Sequence, residues 1–403
     1  MFDINRFVSR HVTGRSRSLF QSDMDEHAVM LDARIRDRSV LVIGGAGTIG
    51  GAFLKEILRF CPARVIVADV NENGLTELVR DVRSTADIQV PADFRTYPMD
   101  FGDPVFAKLL RVEAPFEIVA NFAAHKHVRS EKDPYSIAAL LHNNVFKTRQ
   151  LLEWLSVRPP EHFFCVSTDK AAAPVNVMGA SKKIMEQVLL SFSAAFPVST
   201  ARFANVAFSN GSLPAGFLTR LEKRQPLSAP SDVARYFVSA AEAGQLCLLS
   251  CMLARSGEIF FPKLDQQRDE RKFSDIALDL LDNLGFHAEI CATEEEAREK
   301  AAAMDEHSRN WPVYFFTTDT SGEKMNEAFY TDTESVDWSR FSSLGVIRNS
   351  MPSPALVLAQ FLDELRTLLE KDTLEKHEII ALIHHFLPEF EHLETGKGLD
   401  AKM

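Results

Sequence analysis

The chain has 403 residues, 46% of them hydrophobic and 25% charged, which gives room for one large core or two domains and excludes a disordered or fibrous chain. Its formal net charge of −11 argues against a nucleic-acid partner. No apolar run approaches the roughly 18 residues of a membrane span, and the N-terminus lacks a signal-peptide core, so a cytoplasmic chain with no membrane partner is expected. Five scattered cysteines, Cys61, Cys165, Cys247, Cys251 and Cys291, fit a reducing compartment. Cys247 and Cys251 sit one helical turn apart. That is the spacing of buried free thiols or of a metal pair, and the former is expected.

Residues 1–37 read as a helical extension, with helices over Phe2 to His11 and Asp23 to Ile35. Arg15 and Arg17 lie in the basic loop between them. They either touch a phosphate or, as expected, are solvated. Residues 38–204 alternate strand and helix. Val40 to Ile43 is an apolar, β-branched run suited to a buried strand. Gly44, Gly47 and Gly50 follow at three-residue spacing and lead into a helix. Gly44 permits a tight turn, Gly47 the approach of a pyrophosphate, and Gly50 close packing of helix on strand. The helix N-terminus, with Thr48 and Ile49, offers free N–H groups to the anion. A purely structural glycine turn is the alternative.

Arg64 to Asp69 is the second strand. Asp69 lies about 20 residues past the glycines, where a carboxylate binds the adenosine ribose and repels a 2′-phosphate, favouring NAD over NADP. It alternatively caps the next helix. Phe94 to Asp100 is a third strand, placing Asp100 and Phe101 by the adenine. Glu117 to Ala124 is a fourth, ending at Ala123 and Ala124. A long helix over 134–156 carries Asn143-Asn144-Val145. His162 to Ser167 and Val198 to Phe203 are the fifth and sixth strands, with a helix over Lys182 to Ser193 between them. This alternation predicts an α/β fold: a doubly wound parallel sheet of Rossmann type, with ligands beyond the carboxyl ends of its strands.

After 205 the alternation weakens. Residues 205–345 read as a smaller substrate-binding lobe, with a helix near 240–253, a strand Glu258 to Phe261 and a helix around Thr293 to Ala303. Residues 346–403 read as a helical C-terminal extension. Its Phe361, Leu365 and Leu368 point to a homo-oligomer or to packing on their own subunit.

Thr168-Asp169-Lys170 follows the fifth strand directly. An acid and an amine side by side at the active edge of a sheet can act as proton donor and base; the alternative is a turn with a surface ion pair. Met178-Gly-Ala-Ser-Lys182 comes next. In short-chain dehydrogenases a Tyr holds the first of these positions and a Lys the fifth. A Met there cannot transfer a proton. His125-Lys126-His127 is poorly spaced for metal ligation, and no metal is expected.

The segments VLVIGGAGTIG, NFAAHKHV, NNV, VSTDKAAAPVNVMGASK, ARFANVAFSNGS, VARYFVS and SGEIFFPK occur in this order. Over residues 38–265 they make the chain resemble the nucleotide-sugar 4,6-dehydratases of the extended short-chain dehydrogenases, polysaccharide-biosynthesis enzymes acting on UDP-N-acetylglucosamine. Some members of that family carry the same Met. The resemblance implies NAD held by Gly44, Gly47, Gly50, Asp69 and Asp100, with Lys182 on the nicotinamide ribose. It implies Thr168 at the sugar 4-hydroxyl, Asp169 as the acid at the departing 6-hydroxyl and Lys170 as the base at carbon 5. Asn205 and Arg235 would bind the nucleotide diphosphate, and Lys126 and His127 would lie near the substrate. Three features depart from the family: Met178, Thr320-Ser-Gly-Glu-Lys324 in place of an Arg-Pro-Gly-Glu-Lys-type segment, and residues 265–316. A nucleotide-sugar 4-epimerase and a non-catalytic NAD-binding protein are the competing readings; the Asp169-Lys170 pair favours dehydration over epimerisation.

Overall fold

The computed structural model describes residues 2–319, 321–322, 324, 327–348 and 352–395. At its centre is a nine-stranded sheet. Six parallel strands form its Rossmann half: β1 Ser39–Ile43, β2 Arg64–Asp69, β3 Asp93–Pro98, β4 Ile118–Asn121, β5 His162–Val166 and β6 Val198–Ala201. The short β7 Asn205–Val206, β8 Leu227–Pro230 and β9 Ala234–Val238 leave this sheet. Then β10 Glu258–Pro262 returns to pair parallel with β6. Three strands come from the lobe, β11 Glu270–Lys272, β12 His287–Cys291 and β13 Asn310–Phe316. Finally β14 Ser335–Asp337 and β15 Leu344–Arg348 extend the large sheet antiparallel beside β10. The order is β14-β15-β10-β6-β5-β4-β1-β2-β3. The inner strands β1, β2, β4 and β5 read as near-continuous apolar runs because both their faces are covered, whereas the edge strand β3, DFRTYP, is half-buried.

The expected lobe over 205–345 is therefore shared between two bodies. Its β10, β14 and the start of β15 belong to the large sheet. The rest forms two three-stranded sheets, β11-β9-β7 and β12-β13-β8. One face of the large sheet is covered by helices Gln21–Ile35, Thr48–Leu58 and Ala240–Leu253. The other carries the helical run from Pro134 to Leu155 and helices Val177–Ser191, Ala355–Leu369 and Lys376–Phe386. Phe7, Val8 and Val12 of the N-terminal helix pack with Phe217, Leu227, Ile276 and Trp311 in the lobe.

Two expectations change. Arg15 is not solvated. Its guanidinium pairs with Glu242 at 2.8 Å and Asp269 at 3.1 Å, and donates to the Phe237 carbonyl at 2.9 Å. A cation held by two buried carboxylates ties the N-terminal loop to the lobe and has no donors left for a phosphate. Phe361, Leu365 and Leu368 are buried against their own chain, so these three side chains pack on their own subunit, while Leu356 and Val357 of the same helix are exposed. Among the described residues no helix is long and apolar enough to cross a membrane.

Candidate active site

The order of the large sheet reverses between β4 and β1, so a crevice opens beyond their carboxyl ends. A cavity of about 990 Å³ lies there. Gly44 turns the chain out of β1 with φ at +77°, and a Cβ on it would stand 2.5 Å from the Ala123 nitrogen. A Cβ on Gly50 would meet the Gly44 carbonyl oxygen at 2.3 Å. Glycine is thus required at both positions for the strand–helix approach. Gly47 is the N-cap of helix Thr48–Leu58 and makes no side-chain capping bond, and the first turn of the helix, Thr48 to Gly50, lines the cavity.

The cavity gathers most of the expected cofactor residues: Gly44, Gly47, Thr48, Ile49, Gly50, Asp69, Asp100, Phe101, Ala123 and Ala124, with Lys126. Asp69 is fixed by two backbone donors, Ala46 N and Asn71 N, each at 2.9 Å. The cap of the following helix is Asn71 rather than Asp69. Asp100 accepts from Gly102 N at 2.7 Å and pairs with Lys147, a partner the sequence reading missed. Burial raises the Asp100 pKa, but Lys147 and Gly102 outweigh it and hold the carboxyl below its usual range. An open glycine turn, an uncapped helix N-terminus and a carboxylate at the end of the second strand are the features a dinucleotide needs. On the far side the wall includes Arg366, Leu369 and Glu370 of the C-terminal extension. The Arg366 guanidinium lies 5.3 Å from the centroid of the Phe146 ring.

The remaining site residues lie outside this cavity. Strand β5 ends at Val166, beside β4 and β6. Thr168 caps a short 3₁₀ turn, Asp169–Ala171, pinned by Asp169 N to the Phe203 carbonyl at 3.1 Å. Thr168 Oγ1 donates to Asp169 Oδ1 at 2.8 Å, and Lys170 Nζ to the same oxygen at 3.1 Å. A residue the sequence reading missed, Glu327, places Oε1 3.3 Å from Lys170 Nζ and 3.9 Å from Arg235 Nε. Burial pulls the Lys170 pKa down, but Asp169 and Glu327 outweigh it, so the ammonium is held above the ordinary lysine value. The pair is thus a buried cluster rather than a surface turn.

Met178 and Lys182 are buried on helix Val177–Ser191. Lys182 Nζ donates to the Val166 carbonyl at 3.0 Å, and burial pushes its pKa below the ordinary lysine range. Asn144 joins this helix to the crevice: it donates to Ser181 Oγ at 3.0 Å and exchanges bonds with the backbone of His125. Lys126 Nζ donates to the Asn210 carbonyl at 2.7 Å, and Asn210 N donates to Thr48 Oγ1 at 3.0 Å. A loop after β7 thereby closes over the glycine turn. Burial lowers the pKa of His125, Lys126 and His127 alike. Asn205, which donates to the Tyr236 carbonyl at 3.3 Å, and Arg235 lie on the adjacent strands β7 and β9. In the Thr320–Lys324 segment, Thr320 and Glu323 lie outside the described residues; Lys324 donates to the Ala173 carbonyl. Among the described residues, no three His, Cys, Asp or Glu side chains converge as metal ligands.

EpsC of Bacillus subtilis, named a probable polysaccharide biosynthesis protein, is 28% identical over 260 residues, 64% of this chain and 42% of that one. CapD of Staphylococcus aureus, a capsular polysaccharide biosynthesis protein, is 29% identical over 238 residues, 57% of this chain and 39% of that one. The matched part spans less than half of either relative. A Methanocaldococcus jannaschii protein named an uncharacterised membrane protein is 33% identical over 263 residues, 63% of this chain and 75% of that one. Among solved structures, Pen from Bacillus thuringiensis superposes with a TM-score of 0.62 at 20% identity, covering 88% of this chain and 98% of that one. The dTDP-glucose 4,6-dehydratase DesIV from Streptomyces venezuelae, solved as a double mutant with NAD and DAU bound, gives 0.53 at 22% identity, covering 72% and 87%. At such identities these structures bear on the fold, which is the α/β Rossmann fold expected. The family model described as polysaccharide biosynthesis protein matches residues 40–349, the whole span from the glycine turn to the last strand, and the chain belongs to that family.

Proposed function

We propose that the protein catalyses NAD-dependent 4,6-dehydration of a nucleotide sugar, with UDP-N-acetylglucosamine as the substrate that the sequence resemblance favours. The observation that carries this reading is the buried cluster of Asp169 and Lys170 at the carboxyl end of β5. A 4-epimerase needs proton transfer at oxygen 4 alone. A dehydratase must also take a proton from carbon 5 and protonate the departing oxygen 6, and so needs more acid–base groups at one place.

Gly44, Gly47, Gly50 and the helix N-terminus would hold the pyrophosphate, and Asp69 the adenosine ribose. Lys182 would stand at the nicotinamide end. When bound, the nicotinamide supplies a reversible two-electron acceptor for carbon 4 and is restored within each turnover. Carbon 5 then lies alpha to a ketone, so a protein base can remove its proton. Thr168 orients the sugar. Asp169 takes the 4-hydroxyl proton, which Met178 cannot accept, and delivers it to oxygen 6. Arg235 and Asn205 steady the diphosphate. A lysine kept protonated between carboxylates is a poor base.

Mass spectrometry after incubation with UDP-N-acetylglucosamine tests the reading. Loss of one water supports it. An isomer of unchanged mass makes the protein an epimerase, and no change in any nucleotide sugar makes it a non-catalytic NAD-binding protein.

A further inference from the structure

Glu327 belongs to none of the motifs that pointed to chemistry, yet its carboxylate ends inside the catalytic cluster. The Lys170 ammonium is shared by two carboxylates, with Asp169 Oδ1 at 3.1 Å and Glu327 Oε1 at 3.3 Å. The side chains of Asp169 and Glu327 are 2% and 3% exposed. Each spends one oxygen on the ammonium. The others, Asp169 Oδ2 and Glu327 Oε2, are buried with no hydrogen-bond partner among the described residues. Buried carboxylate oxygens without donors are costly and uncommon, and two around one cation mark a place where protons are exchanged.

On the dehydration reading, we propose that Glu327 is the base that takes the carbon 5 proton, that Asp169 is the acid at oxygen 6, and that Lys170 is a positioning residue holding the two carboxylates in opposite protonation states. The C5–H bond breaks toward Glu327. Its electron pair becomes the C5=C6 double bond, the C6–O6 bond breaks, and oxygen 6 leaves as water with the proton of Asp169. That proton came from the 4-hydroxyl. Glu327 returns its own proton to carbon 5 when the double bond is reduced at carbon 6 by the dinucleotide that the first oxidation reduced. The sum is loss of one water.

Electrostatics agrees with this division. Burial pushes Glu327 up, Lys170 pulls it back, Asp169 pushes it up, and Arg235 and Lys324 pull it down; the net position is above the usual carboxylate range. A carboxylate raised toward neutrality is an effective base, whereas Lys170 keeps its proton.

The test separates the base from the rest of the reaction. Exchange of the carbon 5 hydrogen of the 4-keto-6-deoxy product in D₂O needs a base but neither oxidation nor a leaving group. It is followed by mass spectrometry on protein holding NAD. Glu327→Gln should slow exchange by about 10²-fold or more. Glu327→Asp should recover part of it, and Lys170→Gln should retain exchange with its pH dependence moved upward. Native-rate exchange by Glu327→Gln overturns the proposal, as does exchange lost at every pH in Lys170→Gln but kept in Glu327→Gln. Should Glu327→Gln not fold, Glu327→Asp decides: exchange at the native rate refutes, and a marked loss supports. A native protein that dehydrates, with a native-like Glu327→Gln, refutes only this assignment. A native protein that releases water from no nucleotide sugar refutes the dehydration reading as well.

Discussion

Replacing Arg202 by methionine should cost the fold and the site together. Arg202 is fully buried just after β6. Its Nε and Nη2 donate to the two oxygens of Glu186 at 3.0 and 2.9 Å. Nη2 and Nη1 also reach the two oxygens of Glu334 at 2.8 Å each, and Nη1 reaches the Phe329 carbonyl at 2.9 Å. Arg202→Met fills similar space but leaves Glu186, itself 1% exposed, as a buried charge with Ser167 Oγ as its remaining side-chain donor. Removing one partner of a buried ion pair typically costs about 3–5 kcal/mol. In urea that moves the midpoint down by on the order of 1 M, since slopes for small proteins are about 1–3 kcal/mol per M and rise with size. Arg202→Lys should rescue little, because an ammonium cannot make both forks. Adding Glu186→Gln to Arg202→Met should recover part of the loss by removing the stranded charge. The same guanidinium anchors Phe329 and Glu334, just after Glu327 in the chain, so water release should fail under conditions where circular dichroism is still native. An Arg202→Met variant within about 0.5 kcal/mol of native stability would refute the reasoning.

Three further outcomes are expected. Denatured protein should release NAD(H); Asp69→Ala should weaken NAD by about tenfold or more, some 1.4 kcal/mol, in calorimetric titration, and NADP(H) as the main released nucleotide would overturn the role of Asp69. Leu365→Ala should cost about 2–5 kcal/mol as a buried cavity and, by loosening the wall at Arg366 and Leu369, should let the dinucleotide leak during gel filtration; unchanged retention would show that the wall carries no grip. Burial beside Arg34 and Arg38 lowers the His162 pKa to about 4. Its folded pKa is therefore below the unfolded value of about 6.5, so the stability it contributes is full above pH 6.5 and lost as pH falls toward 4, by at most about 3 kcal/mol; melting curves of His162→Gln should be flatter across that window.

The parallel half of the sheet was legible because its signals are local. Apolar β-branched runs and the spacing of Gly44, Gly47 and Gly50 need no knowledge of distant partners. The strand at Glu258–Pro262 was visible too, but not its return to the large sheet, which is a choice among tertiary partners. The helix expected over 134–156 contains a π turn at His142–Phe146 that periodicity does not reveal, because the apolar face continues through it. Arg15 was misjudged since Glu242 and Asp269 lie far away in sequence. Phe361 and Leu365 carry the same helical spacing whether they meet their own chain or another. Within the site, the glycine turn, Asp69, Asp100 and the Asp169-Lys170 pair could all be read from strand ends. Glu327 could not: it follows no strand end, and only the folded chain sets it against Lys170.

The wall formed by Arg366, Leu369 and Glu370 gives the pocket an order in time. A chain made from its N-terminus presents the glycine turn while helix Ala355–Leu369 is still unmade. Without that helix on the Phe146 side the crevice would have an open flank, and a dinucleotide that entered would be free to leave again. If the cavity holds a dinucleotide as proposed, docking of helix Ala355–Leu369 would close it, and retention of the dinucleotide would report on whether that helix is in place. A molecule cut between Arg348 and Ala355 would keep the glycine turn and Asp69 yet behave as an exchanging binder.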